Sequence, residues 1–338
     1  MKALSVFLCL SFLLVACSSP QPSEQVIYGK TMGTTYTVKF VDPQDNNIVL
    51  PALKAEIDDA LIQVNALMST YDPNSELSLL NKAPANTPFP ISEQTTLVLN
   101  EAIRLNKLSS GTLDVTVGPL VNLWGFGPDK RPETIPSREQ LMAVREFVGI
   151  DKFTLQNDVV TKQHESVYID LSTIAKGYGV DVVADILETN DIDNYLVEIG
   201  GEMRVAGQKK NGASWRVAVE KPINTQREAQ KIFTIGNNAI ATSGDYRIYF
   251  EYDGKRYSHL IDPNTGYPIT HNLVSVTVVH PSSMTADGLA TALNVMGPEK
   301  AKVLAERNNL SVFMVLKEGE EFVEYSSPSF EALIQNQQ

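Results

Sequence analysis

The chain is poor in the two residue types that most often form cross-links and metal clusters. It has two Cys and four His among 338 residues. Both cysteines, Cys9 and Cys17, lie close to the amino terminus, so the rest of the chain is predicted to contain no disulfide. His164, His271 and His280 are not spaced as metal ligands, which argues against a zinc site built from neighbouring histidines.

Positive charge is also in short supply. The chain carries 28 Lys and Arg against 40 Asp and Glu, which gives a formal net charge of -12. Such a chain repels nucleic-acid phosphates, so nonspecific nucleic-acid binding is excluded as a function. Any anionic ligand must be held locally, by a metal ion, a helix amino terminus or a few placed cations.

Long hydrophobic runs are missing except at the amino terminus, and no repeat at solenoid periods is present. Residues 1–16 combine Lys2 with an apolar run that is too short to span a bilayer, which predicts an export signal. The residues Leu14-Val15-Ala16-Cys17 resemble a bacterial lipoprotein box, in which cleavage precedes Cys17 and its thiol is acylated. The alternative is an ordinary signal peptide with an incidental Cys.

The segment that follows Cys17 is small, polar and contains proline. We predict that residues 17–25 form a flexible tether from the membrane to a domain at 26–338. The protein would then be anchored to a membrane without spanning it.

Helical and strand patterns alternate irregularly along this domain. Apolar residues at three- and four-residue spacing predict helices at 51–69, 92–108, 137–148, 174–188, 284–296 and 299–308. Alternating segments predict hairpins, one of which turns at Asp253-Gly254 in the type I′ manner. Because no regular strand, helix, strand order appears, the prediction is an α+β fold, a single large domain of two joined halves with antiparallel hairpins and flanking helices.

The segment "DLSTIAKGYGVD", residues 170–181, precedes and opens a predicted helix. It is neither a Walker loop nor a dinucleotide fingerprint, since the required Gly spacing is absent. Lys176 near a helix start could bind an anion, and Asp170 could accept hydrogen bonds from a sugar or a ring. The alternative is an aspartate that caps the helix beside a solvated lysine.

The segment "TADGLATAL" places Asp287 and Thr291 four residues apart on a predicted helix. Their carboxylate and hydroxyl would lie on one face, one turn apart. The small residues Ala286, Gly288 and Ala290 would leave space beside that face. Oxygen ligands without nearby His or Cys favour Mg²⁺, although a surface pair without a metal remains the alternative.

Three further features are weaker candidates. Tyr71 falls between two helical segments and could be a lid or a core side chain. The segment 111–128 gathers Gly, Trp and Phe, which suits stacking on a flat ligand. His259 lies on the predicted hairpin, and its neutral imidazole could accept a proton. A histidine without a catalytic role is the alternative.

Several stretches together resemble the bacterial FAD:protein FMN transferases of the ApbE family. The matching stretches are "TMGTTY", "STYDPNSELS", "LDVTVGPLVNLWGFGP", "DLSTIAKGYGVD", "ATSGDYR", "SHLIDPNTGYP" and "TADGLATAL". They cover nearly all of the chain after residue 26, and they imply an ApbE-like, T-fold-like α+β domain that binds FAD and Mg²⁺.

The resemblance also implies a role for particular residues. Those that would contact FAD are Met32, Tyr71, Thr112, Leu113, Asp114, Asp170, Lys176 and Ile261. The metal ligands would be the Thr173 backbone carbonyl and the side chains of Asp287 and Thr291. Some relatives carry a second carboxylate immediately before that Thr, whereas this chain has Ala290, so waters or FAD phosphate oxygens would complete the shell.

The implied reaction is Mg²⁺-dependent transfer of FMN from FAD to a Thr hydroxyl of an acceptor protein, with release of AMP. His259 is the candidate base, with Asp287 as a rival. The alternatives are hydrolysis of FAD to FMN and AMP, or a lipoprotein that binds FAD without catalysis. The implied acceptors are membrane redox complexes of the Nqr and Rnf type, and the implied location is the periplasmic side of the inner membrane.

Overall fold

The computed structural model describes residues 23–43, 48–127, 135–222, 228–246 and 248–335. The predicted signal 1–16, Cys17 and most of the predicted tether lie outside the described residues. Within the described part of the chain, no helix is long and apolar enough to cross a membrane.

The secondary structure of the described residues mixes strands and helices throughout. The strands are β1 Glu24–Thr31, β2 Thr34–Val41, β3 Phe89–Pro90, β4 Phe153–Gln156, β5 Val159–Lys162, β6 Tyr195–Ile199, β7 Glu202–Ala206, β8 Val217–Glu220, β9 Ala229–Phe233, β10 Ala239–Gly244, β11 Tyr249–Tyr252, β12 Lys255–Ser258, β13 Leu273–His280, β14 Ser311–Glu318 and β15 Glu321–Ser326. The helices are α1 Leu50–Met68, α2 Glu76–Lys82, α3 Glu93–Leu108, α4 Gly118–Leu123, α5 Arg138–Arg145, α6 Ala175–Thr189, α7 Ser283–Met296, α8 Pro298–Arg307 and α9 Pro328–Gln335.

The central element is an eight-stranded antiparallel sheet in the order β1-β2-β6-β7-β10-β13-β14-β15. Its first four strands precede residue 207 and its last four follow residue 238, so the sheet consists of two sequential halves. The halves join where β7 pairs with β10, and this pairing covers only Ala239 with Arg204 and Ile240 with Met203. The predicted α+β domain of two joined halves is therefore confirmed.

Apolar faces of helices cover the sheet. On α1, Leu53, Ile57, Leu61 and Val64 recur at helical spacing and are buried, because that spacing forms one stripe along the helix. The neighbours of Leu53, Ile57 and Leu61 in the core come from β1, β2, β6 and α6, whereas Val64 packs with residues of α2 and α3. In the second half, α7 packs on β10 and β13 and also contacts α6. The two long helices α6 and α7 therefore meet above the join between the halves.

Local signals predicted most element ends closely. The Ser137 hydroxyl accepts from the Gln140 amide N–H, and the Gln140 side chain accepts from the Ser137 amide N–H, which confirms the capping box of α5. That helix ends at Arg145, earlier than predicted. Asp253 and Gly254 both have positive φ and join β11 to β12, as a type I′ turn requires.

Candidate active site

A cavity of about 550 Å³ has walls from both halves of the domain. It contains every residue that the sequence assigned to FAD, to the metal or to proton transfer within the domain. These residues are Met32, Tyr71, Thr112, Leu113, Asp114, Asp170, Thr173, Lys176, His259, Ile261, Asp287 and Thr291. Their proximity is a finding of the structure, whereas their individual roles towards a ligand stay predictions.

The cavity floor forms where α6 and α7 approach each other. A Cβ atom on Gly177 would lie 2.3 Å from the Ser283 carbonyl oxygen, so only glycine permits this contact between the helices. The Gly177 amide N–H donates to Asp287 Oδ2 at 3.0 Å. Gly177 is the third residue of α6, where a backbone amide has no carbonyl partner within the helix. Asp287 therefore supplies the acceptor that this amide would otherwise lack.

Asp181 fixes the same crossing from the other side. Its carboxylate accepts hydrogen bonds from the Ser282 hydroxyl at 2.8 Å, from Ser283 N at 2.9 Å and from Met284 N at 3.0 Å. A side chain of α6 thus satisfies amide groups in the first turn of α7, where the helix dipole favours a negative charge. Sequence reasoning did not single out Asp181, although it ends the segment 170–181.

Lys176 lies between two carboxylates. Its Nζ donates to Glu202 Oε1 at 2.6 Å and is 3.8 Å from Asp287 Oδ1. Burial on its own would lower the pKa of Lys176, but the charges of Asp287 and Glu202 outweigh it and raise the pKa. Burial raises the pKa of Asp287 to about 7, against the opposing effect of Lys176. Lys176 is therefore held in an ion pair, with 32% of its side chain exposed, and is not a free, solvated lysine.

Asp287, Thr291 and Thr173 offer oxygen atoms to a hard cation. Asp287 is 5% exposed, so the alternative of a surface pair is wrong. The Thr173 hydroxyl is buried without a hydrogen-bond partner in the described part of the chain, and its carbonyl lies just before the start of α6. Carboxylate, hydroxyl and carbonyl oxygens form the kind of donor set that Mg²⁺ binds.

A site rich in ionisable ligands is not present among the residues that the structure describes. No group of three or more His, Cys, Asp or Glu side chains within that set could hold a metal ion. Ala290 is buried on α7, so it supplies no second acidic ligand. A cation here would need phosphate oxygens or waters to complete its shell.

Two aspartates in the cavity wall accept hydrogen bonds from residues of their own loops. Asp170 Oδ1 accepts from Ser172 N at 2.8 Å, whereas α6 begins after Ile174 without a side-chain cap. The alternative that Asp170 caps this helix is therefore wrong. Asp114 Oδ1 accepts from the Thr116 amide at 2.8 Å and from its hydroxyl at 2.6 Å. Burial raises the pKa of both carboxyl groups.

Met32 and Tyr71 also line the cavity. Met32 lies in the turn between β1 and β2 with φ of 47°, a conformation that is uncommon for a residue other than glycine. Tyr71 is 74% exposed, which excludes the alternative of a core side chain. A flat ring could lie against these two side chains.

His259 has a defined tautomer. Its Nδ1 lies 3.0 Å from the Ile248 carbonyl oxygen, and because a carbonyl can only accept, Nδ1 carries the hydrogen. The Nε2 atom therefore holds the lone pair. Burial lowers the pKa of His259, so the imidazole is neutral at pH 7. These are the properties of a general base.

Two expectations about the walls of the site were wrong. Trp124 of the segment 111–128 is fully buried and donates from Nε1 to the Gly266 carbonyl at 2.9 Å, so it cannot stack on a ligand, although Phe126 lines the cavity. The small residues of α7 do not leave space for a ligand either. A Cβ atom on Gly288 would lie 2.5 Å from Leu105, so protein side chains fill that face.

Glu202 is a site residue that sequence reasoning missed. It begins β7 directly after Gly200 and Gly201 and is 5% exposed. The available signal was an acidic residue next to a Gly-Gly turn, but its contact with Lys176 could not be read from spacing. Its carboxylate supplies much of the negative charge around that lysine.

The fold and cavity define an α+β protein with a large pocket whose floor combines a lysine, buried carboxylates and two threonines. The chain belongs to the ApbE family, whose family model matches residues 32–314. A protein of Vibrio cholerae serotype O1 named FAD:protein FMN transferase is 52% identical over 326 residues, covering 96% of this chain and 97% of that protein.

Two further similarities extend over the same length. A Haemophilus influenzae protein with the same name is 49% identical over 343 residues, covering 98% of this chain and 98% of that protein. The solved structure of the flavin transferase ApbE from Vibrio cholerae matches this fold with a TM-score of 0.86 at 50% sequence identity. That match covers 92% of this chain and 99% of the other.

Proposed function

We propose that this protein transfers the FMN part of FAD to a threonine of an acceptor protein. The observation that carries the proposal is the convergence of Lys176, Asp287, Thr291 and Thr173 on one cavity floor, with His259 in the same cavity. The relatives named FAD:protein FMN transferase, similar over nearly the whole chain, support the same conclusion.

The proposed reaction is a displacement at phosphorus. The acceptor Oγ forms a bond to the FMN phosphorus, and the bond from that phosphorus to the oxygen of AMP breaks, so that AMP leaves with that oxygen. The hydroxyl proton goes to His259 Nε2, which carries the lone pair. The product is FMN joined to the protein by a phosphoester. Such reactions depend mainly on positioning and on electrostatic stabilisation.

Mg²⁺ would be held by the Thr173 carbonyl and by the side chains of Asp287 and Thr291. When bound, it would neutralise charge on the diphosphate of FAD. Lys176 places a second positive charge at the same floor, held in position by Glu202. This arrangement explains how an acidic protein can bind an anionic dinucleotide.

The remaining residues position FAD. Asp170 and the loop of Thr112, Leu113 and Asp114 present polar groups to the cavity, while Met32 and Tyr71 present flexible or flat apolar surface. Ile261 adds a buried apolar contact. These contacts would hold the phosphorus in line with the incoming hydroxyl.

The test is incubation of the purified protein with FAD, Mg²⁺ and an Nqr-type acceptor subunit, followed by intact-mass analysis of the acceptor. We expect an increase in acceptor mass by one FMN phosphoester, with AMP released in equal amount. Release of AMP without attachment would indicate a hydrolase instead. FAD binding without AMP release would indicate a non-catalytic flavin carrier.

The Asp287→Asn variant tests the metal ligand in the same assay. We expect a fall in transfer on the order of 10²-fold or more, because removal of a cation ligand removes charge stabilisation from the transition state. Asp59→Asn, which removes an exposed carboxylate of α1, is the matched control and should transfer normally. Normal transfer by Asp287→Asn at saturating Mg²⁺ would refute the assignment.

The proposal includes a location. An export signal over 1–16 and acylation of Cys17 would anchor the protein at the periplasmic side of the inner membrane, close to acceptors of the Nqr and Rnf type. Expression of Cys17→Ala should move the protein from the membrane fraction to the soluble fraction. A wild-type protein that is soluble and unlipidated would contradict this location.

A further inference from the structure

A second cavity, of about 510 Å³, lies beside the first. Its lining residues are mostly small or polar, and most come from strand ends near the join between the two halves. They are Thr34, Thr35, Glu198, Gly200, Gly201, Glu202, Met203, Ala218, Glu220, Thr242, Gly244 and Tyr246. Glu202, Thr242 and Gly244 also line the first cavity, so the two spaces share a wall.

The second cavity lies where the central sheet is incompletely paired. Strand β10 pairs with β13 along its whole length, from Ala239 to Gly244. On its other side it pairs with β7 only at Ala239 and Ile240. Among the described residues, no strand pairs with Thr242 or Gly244 on that side. The exposed edge of a strand is a template for an added strand.

Glu202 lies in the shared wall, and only one of its two carboxylate oxygens has a hydrogen-bond partner among the described residues. Its Oε1 accepts from Lys176 at 2.6 Å, whereas its Oε2 is buried without a hydrogen-bond partner within the described part of the chain. The residue is 5% exposed. Buried carboxylate oxygens are normally hydrogen-bonded, so an unpaired one indicates a partner that arrives with a ligand.

We propose that the second cavity is the docking site for an extended segment of the acceptor protein. The segment runs along the free edge of β10, and Glu202 Oε2 accepts a hydrogen bond from one of its backbone amides. Its threonine hydroxyl then enters the first cavity beside Lys176. This inference rests on the proposed function, since it names the place where the second substrate of that reaction binds.

The position of the second cavity relative to Lys176 favours a segment of the acceptor protein as its occupant. Transfer requires an alcohol at the phosphorus, and Lys176 marks the diphosphate end of the first cavity. Glu202 contacts that lysine and lines the second cavity, so a chain entering there arrives at the reacting atoms. The apolar, exposed Tyr71 lies in the wall of the first cavity only. The polar lining and the glycines suit a peptide backbone, which must satisfy its own polar groups.

Ala218→Trp tests the docking site without altering the FAD cavity. Ala218 is exposed on β8 and lines only the second of the two cavities, so an indole there should obstruct the segment while the fold is retained. We expect the Kd for the Nqr-type acceptor subunit and its KM in transfer to rise about tenfold or more, with the Kd for FAD unchanged. Ala55→Trp, at an exposed position of α1, is the control and should match the wild type.

Glu202→Gln tests the unpaired oxygen. The amide oxygen of Gln can still accept from Lys176, but its NH₂ group then faces the second cavity and cannot accept from a backbone amide. We expect the KM for the acceptor subunit to rise by a factor about ten or more times larger than any rise in the Kd for FAD. This is the effect expected when a hydrogen bond to a charged group is lost. A purely structural role would weaken both to the same extent.

The outcomes separate this inference from the proposed function. If the wild type binds the acceptor without transferring FMN, and Ala218→Trp weakens that binding, the docking site stands and the proposed function fails. If the wild type transfers FMN and Ala218→Trp binds and transfers equally well, the docking site is wrong and the function stands. A loss of FAD affinity in Ala218→Trp would place part of FAD in the second cavity and also overturn the inference.

Discussion

At the scale of single residues, the site depends on a small buried group of opposite charges. Lys176 brings one positive charge, and Glu202 and Asp287 bring two negative ones within 4 Å of it, at 2.6 and 3.8 Å. Burial makes this excess negative charge costly, as the raised pKa of Asp287 shows. A divalent cation next to Asp287 would offset the cost, and the same charge would attract a diphosphate.

The activity of the base should follow the pKa of His259. Burial lowers this pKa below its usual 6.5, so the neutral form persists at pH values where an exposed histidine is protonated. At saturating Mg²⁺, where a bound cation would keep Asp287 ionised, we expect kcat/KM for transfer to fall on acidification only below pH 6.5. We expect His259→Ala to lose about 10²-fold or more in rate. The Kd for FAD should be preserved. Initial rates across pH 5 to 8 measure the profile.

The same shift in pKa affects stability. Because the unfolded chain binds the His259 proton more readily than the folded chain, this residue lowers the free energy of unfolding as pH falls below 6.5. His259→Ala should remove that contribution, which urea unfolding at pH 7 and pH 5.5 can detect.

An unchanged acid limb of the pH–rate profile in His259→Ala would show that another group is the base.

At the scale of elements, the site is a consequence of the close contact between α6 and α7. Gly177 permits the contact, and its amide N–H donates to the Asp287 carboxylate. Asp181 accepts hydrogen bonds from the first amide groups of α7. The bond from the Gly177 amide holds the Asp287 carboxylate against the first turn of α6. One packing arrangement therefore brings the Asp287 carboxylate and Thr173 into the same cavity.

Gly177→Ala should separate these helices. The added methyl group would lie 2.3 Å from the Ser283 carbonyl oxygen, which is backbone and cannot rotate away. We expect a loss of about 1–3 kcal/mol in the free energy of unfolding, together with weaker Mg²⁺-dependent transfer. Urea unfolding monitored by circular dichroism measures the first effect.

Gly179→Ala on the same helix is the matched control. Its methyl group would meet the end of the Met32 side chain at 2.7 Å, and a flexible methionine can move. The better helix propensity of alanine offsets much of the strain, by about 1 kcal/mol. Equal destabilisation by the two variants would contradict the importance of the crossing.

At the scale of the whole molecule, the two halves of the sheet are joined by short pairing, and the ligand cavity takes its walls from both. Asp170 and Lys176 belong to the first half, and His259, Asp287 and Thr291 to the second. A ligand that contacts both halves binds the folded state and not the unfolded chain. Its binding energy therefore adds to global stability.

FAD and Mg²⁺ together should stabilise the protein more than either alone. At FAD concentrations about 100 times its Kd we expect about 2.7 kcal/mol of added stability, and Mg²⁺ should lower that Kd. Thermal unfolding with FAD, with Mg²⁺, with both and with neither measures the coupling. In Asp287→Asn the increment due to Mg²⁺ should disappear, and its persistence there would place the cation elsewhere.

Much of the local structure could be predicted because its causes are local. Helical spacing of apolar residues predicted α1 and α7 within one residue at each end. The Asp253-Gly254 pair predicted one hairpin, and the positive φ of both residues confirms it. The short helices α2, α4 and α9 were not predicted, because six to eight residues show too little periodicity. The resemblance to the ApbE family supplied the candidate residues, and the structure brings them into one cavity.

The sequence by itself determined which residues carry the charges and oxygens, and that Asp287 and Thr291 share one helical face, because these depend on neighbours within a turn. The tertiary structure alone decided that Trp124 is buried, that Glu202 meets Lys176, and that Gly177 bonds to Asp287 across a separation of 110 residues. Those contacts follow from how two halves of a sheet and two helices pack. Packing over such separations leaves no periodic signal in the chain.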